Sequence, residues 1–199
     1  MLDVLFLQRS GEDIFYAEPR PQPEAAQENE PSPLETLAQI RGKLKRGYQS
    51  LQSKLPMKER LCSNLGHHER VNLHIPSYLP PEIAAKLFLS FLKKCVKTHR
   101  RWVVADGVLA ALGATLFWIP GPNIFFIYPA LRAIGHYYAQ AGGGKYREPS
   151  GLLIQPCTLL DDFPNLAVPE MMARGREIES RFGFSRLASF LGKNYASQH

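Results

Sequence analysis

From Trp102 to Leu131 the chain is apolar at nearly every position, interrupted by the polar side chains of Asp106, Thr115 and Asn123. A helix of that composition has no polar face, so the segment belongs either to a protein core or to a bilayer. Pro120-Gly121-Pro122-Asn123 breaks it, because two prolines remove backbone donors and disfavour helical backbone in the residues before them. The pattern therefore predicts an apolar helical hairpin over 102–141 that turns at Pro120, Gly121 and Pro122.

Elsewhere the periodicity is amphipathic. Leu2 to Leu7 and Ile14 to Ala17 flank a polar cluster of turn formers, which predicts a small β-hairpin within 1–18. Prolines 19, 21, 23, 31 and 33 mark a Pro-rich linker over 19–33. Ser32 and Glu35 form a capping box with Pro33 at the first helical position, and Leu34, Leu37, Ile40, Leu44, Tyr48, Leu51 and Leu55 follow at helical spacing. Met57, Leu61 and Leu65 make a shorter stripe. The segment 66–81 is expected as loop. A second basic helix begins near Pro80-Pro81-Glu82, so 34–101 is expected as a set of amphipathic basic helices. Gly142-Gly143-Gly144 is expected to end the hairpin. Beyond it, 142–199 is expected to be mainly helical, with a short strand at Leu152 to Ile154 and stripes at Met171, Ile178, Phe182 and at Leu187, Phe190, Leu191, Tyr195. The fold class is mainly α with a small N-terminal β-hairpin.

Charge divides the chain sharply. Residues 1–40 carry a net of −6, residues 41–101 a net of +11 and the remainder a net of +1. A middle third this basic suits an anionic partner, either nucleic acid or lipid headgroups. No helix-turn-helix, zinc-finger or RNA-binding signature accompanies it, so anionic headgroups are expected at Lys93, Lys94, Lys97, Arg100 and Arg101. A mean hydropathy of −0.21 limits any membrane-embedded part to one apolar unit. Cys62, Cys95 and Cys157 form no Cys-x-x-Cys pair and are expected as reduced thiols in a cytosol-like compartment. Early acidic residues argue against a cleaved targeting segment.

The flanks decide between core and bilayer. Trp102 to Ile119 and Ile124 to Ala141 are each 18 residues, close to the lower limit of about 17 for crossing a hydrocarbon layer. Basic residues sit at the base, with Arg132, Lys145 and Arg147 in and after the second helix, and Trp118 and Tyr128 sit near an uncharged tip. The hairpin is therefore expected to enter the membrane. The alternative is a soluble or peripheral helical scaffold that binds a partner protein, with the hairpin as its core.

Pro120-Gly121-Pro122-Asn123, the aromatics Phe125, Phe126 and Tyr128, and then Arg132, His136, Ala139 and Gly142 together resemble the signature of the mitochondrial K+/H+ exchange-related family. The opening strand pair is similar to that family as well. One departure is Phe125, where the mitochondrial relatives carry proline two residues past the asparagine. The resemblance implies an inner-membrane protein concerned with electroneutral potassium-proton exchange. A bacterial inner membrane is the expected location in the absence of a presequence, and the mitochondrial inner membrane if the source is eukaryotic.

Asp106, Asn123, Arg132 and His136 are the polar groups in or beside the hairpin. Asp106 lies about as far before Pro120 as His136 lies after Pro122, so an antiparallel pair brings them level. They can be read as an ion or proton relay, or as a pairing that ties two helices together. His67, His68, Glu69 and His74 have poor metal-ligand spacing and are expected in a solvated loop, and no metal or cofactor is expected. No nucleophile elbow, phosphate loop or dinucleotide fingerprint is present, which points away from an enzyme. The expected function is participation in monovalent cation and proton exchange or its regulation. Two helices cannot shield an ion path from lipid alone, so a homo-oligomer or a partner subunit is implied.

Overall fold

In a computed structural model, residues 1–9, 12–17, 57–115, 124–146, 148–184 and 186–195 are described. The expected linker at 19–33, the helix over 34–55 and the Pro120-Gly121-Pro122-Asn123 turn lie outside them.

The N-terminal hairpin is present as β1 (Leu2–Arg9) and β2 (Glu12–Tyr16), antiparallel with Phe6 opposite Phe15. It is part of a larger element. β1 also runs parallel to β3 (Val71–Ile75), and β3 runs parallel to β4 (Leu152–Pro156), giving a four-stranded sheet in the order β2-β1-β3-β4. The expectation of loop over 66–81 therefore fails at β3. Val71, Leu73 and Ile75 alternate with Asn72 and His74 as a strand should, and all five are buried.

Apolar side chains leave both faces of β1, which is how a strand covered on two sides reads. Val4 and Phe6 join β3 residues, Leu61 and Leu65 of α1 (Met57–Leu65), and Ala84, Phe88 and Leu92 of α2 (Pro81–Thr115) in one core. Leu5 and Leu7 face a second core with Met171 and Ile178 of α4 (Val168–Phe182) and Leu187 and Leu191 of α5 (Leu187–Tyr195). The stripes expected in 142–199 are thus helices that cover the far face of the sheet.

α2 is one helix of 35 residues, with no break where the basic segment was expected to give way to the apolar one at Arg101-Trp102. Its buried positions, Ala84, Phe88, Leu92, Cys95, His99, Asp106, Ala110 and Gly113, keep one helical stripe from end to end. The first half of that stripe packs on the sheet. The second half packs on α3 (Ile124–Lys145), which runs beside it.

Membrane entry by this pair is not supported as a crossing: among the described residues, no helix is long and apolar enough to span a membrane.

Two further expectations are corrected. Gly142-Gly143-Gly144 does not end the helix, which continues to Lys145. A Cβ on Gly142 would overlap the backbone carbonyl of Cys62, and Gly66 lies against the Gly142 backbone, so the glycines let α3 touch α1 backbone to backbone. Cys62 and Cys95 are not free thiols but a disulfide between α1 and α2, while Cys157 is free and buried. Their separation of 33 residues is closed by helix packing, which local spacing does not reveal.

Candidate functional site

The polar residues buried in the helical layer meet at one level. Asp106 of α2 is 2% exposed, and its Oδ2 lies 3.5 Å from Arg132 Nε and 3.5 Å from His136 Nε2, both on α3. Three of the four residues singled out in the sequence are therefore neighbours, and Asn123 lies outside the described residues. The antiparallel count that set Asp106 level with His136 agrees with these distances.

Sequence reasoning missed two members. His99 sits on α2, two turns before Asp106, and its Nδ1 lies 2.9 Å from His136 Nδ1. Glu59 of α1 completes the group: one ligand atom from each of Glu59, His99 and His136 lies within 4.8 Å of the others. The sequence carried a partial signal for His99, because it continues the Phe88, Leu92, Cys95 stripe and so had to be buried. Glu59 arrives from a separate helix, and nothing in its own neighbourhood marks it.

Burial dominates the electrostatics here. It pulls the His99 imidazole down to about 4, helped by the adjacent His136. Burial lowers His136 too, with Glu59 and Asp106 opposing and Arg132 assisting. Both rings are therefore neutral near pH 7, and one Nδ1 must donate to the other when the two are hydrogen-bonded. Arg132 is 40% exposed at its side chain and lays its guanidinium over the Trp102 ring at 4.7 Å, closing the outer side of the cluster. The contacts around Asp106 are close without being hydrogen bonds. Among the described residues, Asp106 Oδ2 and His136 Nε2 have no hydrogen-bond partner although both are buried.

Outside the cluster, the same two helices are bare. Trp102, Val104, Val108, Leu109 and Leu112 of α2 and Ile127, Tyr128, Ile134, Tyr137 and Tyr138 of α3 are all exposed. Lys93, Lys94, Lys97, Arg100 and Arg101 are exposed at the sheet-side end of this surface. An apolar surface of this kind bordered by cations is the usual sign of an interaction site.

The other histidines are arranged differently. His67 is exposed as expected, but His74 is a buried residue of β3 rather than a solvated one. Its Nε2 lies 3.2 Å from Asp3 Oδ1 on β1, and the Phe182 ring stands 4.3 Å away.

A family model described as mitochondrial K+-H+ exchange-related matches residues 14–147. Among curated proteins and solved structures, none matches the chain. The matched span takes in the end of β2, then α1, β3, α2 and α3, and with them the buried cluster and the bare surface; the chain belongs to this family.

Proposed function

We propose, with that membership as premise, that the protein takes part in monovalent cation and proton exchange, or in its regulation, as a membrane-associated chain. The observation that carries the membrane part is the exposed apolar surface of α2 and α3 with cations along one end. Exposing Val104, Val108 and Leu112 to water forfeits about 1.5–3 kcal/mol for each side chain that could be buried. Lipid acyl chains remove that penalty, and each lysine or arginine near an anionic surface adds about 1 kcal/mol. The exposed apolar sides of α2 and α3 then lie against the bilayer, and the sheet with α4 and α5 stays outside it. A second copy or a partner subunit supplies the remaining wall of any ion path, since two helices cannot form one.

The test is flotation of the purified chain with vesicles of anionic or of zwitterionic lipid, followed by potassium-driven proton flux in the same vesicles. Co-flotation that prefers anionic lipid, falls with salt and is lost in Val108→Lys/Leu112→Lys supports the reading, and potassium-dependent flux extends it to direct exchange. A chain that stays in the soluble fraction with both lipids removes it and leaves the apolar surface to a protein partner.

A further inference from the structure

Glu59, His99 and His136 come from three different helices and converge where no packing need requires polar groups. Two of them, His99 and His136, are almost fully buried. Burying such groups costs free energy unless something compensates them. A direct bond between the two imidazoles satisfies one nitrogen on each ring and does nothing for Glu59 or Asp106.

The orphaned atoms show what does. His136 Nε2 lies 3.5 Å from Asp106 Oδ2, so the nearby carboxylate favours a proton on Nε2 and leaves the lone pair on Nδ1. That lone pair is directed at His99 Nδ1, and a carboxylate oxygen of Glu59 belongs to the same group of ligand atoms. A carboxylate behind a histidine, fixing the tautomer that offers its other nitrogen forward, is the usual arrangement behind a metal-bound imidazole. Charge agrees with this. Among the described residues Arg132 pairs with Asp106 and no ion pair is seen at Glu59, so a positive ion between the imidazoles would answer the second carboxylate.

We propose that Glu59, His99 and His136 bind one divalent transition-metal ion of the zinc type, with Asp106 orienting His136 from behind. Two imidazole nitrogens and one carboxylate oxygen suit zinc or cobalt, whereas potassium prefers a shell made of oxygen alone. Three protein ligands leave a coordination position open to water or to a partner. The frame is already braced, because Cys62 follows Glu59 by one turn, Cys95 precedes His99 by one turn, and the two are joined.

The experiment uses the full, untagged chain, stripped with chelator and titrated with Co2+, then with Zn2+ in competition. The expected result is one equivalent of cobalt with the intense visible absorption of a four-coordinate site, displaced by zinc and unaffected by His67→Gln/His68→Gln. His99→Gln and Glu59→Gln should abolish that absorption, and Asp106→Asn should weaken binding by roughly 10- to 100-fold. Absence of cobalt binding by the wild-type chain, or binding that survives both Glu59→Gln and His99→Gln, overturns the proposal. Should His99→Gln fail to fold by circular dichroism, Glu59→Gln decides alone, because Glu59 is only partly buried.

Discussion

Among the described residues there are two buried histidine clusters, one on the sheet and one between the helices, built from the same kinds of residue and differently finished. On the sheet, parallel register sets Asp3 beside Asn72 and His74 beside Gln155. The Asn72 amide is 2.9 Å from Asp3 and 3.1 Å from His74, while Asp3 also meets His74 Nε2. Phe182 closes the side away from the strands. Backbone pairing holds each member, so the cluster is a structural knot. Between the helices no backbone ladder links the members, and Asp106 Oδ2 and His136 Nε2 remain without hydrogen-bond partners among the described residues. The difference is in closure: on the sheet Asp3, Asn72 and His74 meet one another and Asn72 Oδ1 is left over, whereas between the helices both facing atoms of the Asp106–His136 pair are left over among the described residues.

The most disruptive way to break this contrast is at Gly142. The helix cluster exists only because α3 approaches α1 at backbone distance, and a Cβ there meets backbone that cannot rotate away. Overpacking of a rigid contact costs about 1–3 kcal/mol and occasionally more. Gly142→Ala should therefore lower unfolding free energy by about 3 kcal/mol and abolish cobalt binding, with β-sheet circular dichroism retained. Chemical denaturation read beside the cobalt titration checks it, and an unchanged midpoint would mean that the helices have slack.

Reduction of Cys62–Cys95 comes next. The bond closes a loop of 33 residues, and cross-links of that span contribute about 2–4 kcal/mol, mainly by restricting the unfolded chain. Unfolding free energies from urea denaturation with and without a dithiol reductant should differ by that amount. The sheet knot should keep its His74 proton resonance while His99 and His136 shift, because the disulfide braces α1 against α2, the helices that carry Glu59 and His99.

The two clusters were also unequally legible in the sequence. Asp106, Arg132 and His136 stood out because polar residues inside an apolar run are conspicuous, and an antiparallel count from Pro120 and Pro122 was enough to bring Asp106 level with His136. Glu59, an ordinary charge on a short helix, reaches the site only through tertiary packing. The sheet knot was misread for another reason. Nearness in sequence groups His74 with His67 and His68, whereas alternation with Val71, Leu73 and Ile75 marks a strand. Parallel pairing of β1 with β3 joins residues about seventy positions apart, and no local pattern encodes that. The bare apolar surface was legible as composition, but its exposure was not. α2 keeps one buried stripe along its whole length, and only the packing partners show where the other sides are left open.

A third substitution separates the clusters at smaller cost. His74→Gln keeps polarity but removes the ring that meets Asp3 and Phe182, and a buried hydrogen-bonding group left without its partner costs about 1–3 kcal/mol. Stability should fall within that range with cobalt affinity unchanged. Loss of cobalt binding here would mean that the clusters communicate through β3 and α2, and the distinction between knot and site would dissolve.

The mildest probe is Gly107→Ala, one residue beyond Asp106 on an exposed side of α2. No atom lies within 4 Å of an added Cβ there, and exchanging glycine for alanine inside a helix is worth about 1 kcal/mol of stabilisation. Thermal unfolding should shift upward by that amount. Binding should stay level, because the site depends on how closely α1, α2 and α3 approach rather than on the stiffness of any one of them. A Gly107→Ala chain that is more stable yet binds cobalt more weakly would show that α2 must flex near Asp106 to admit the ion, and the cluster would then be a gated site instead of a preformed one.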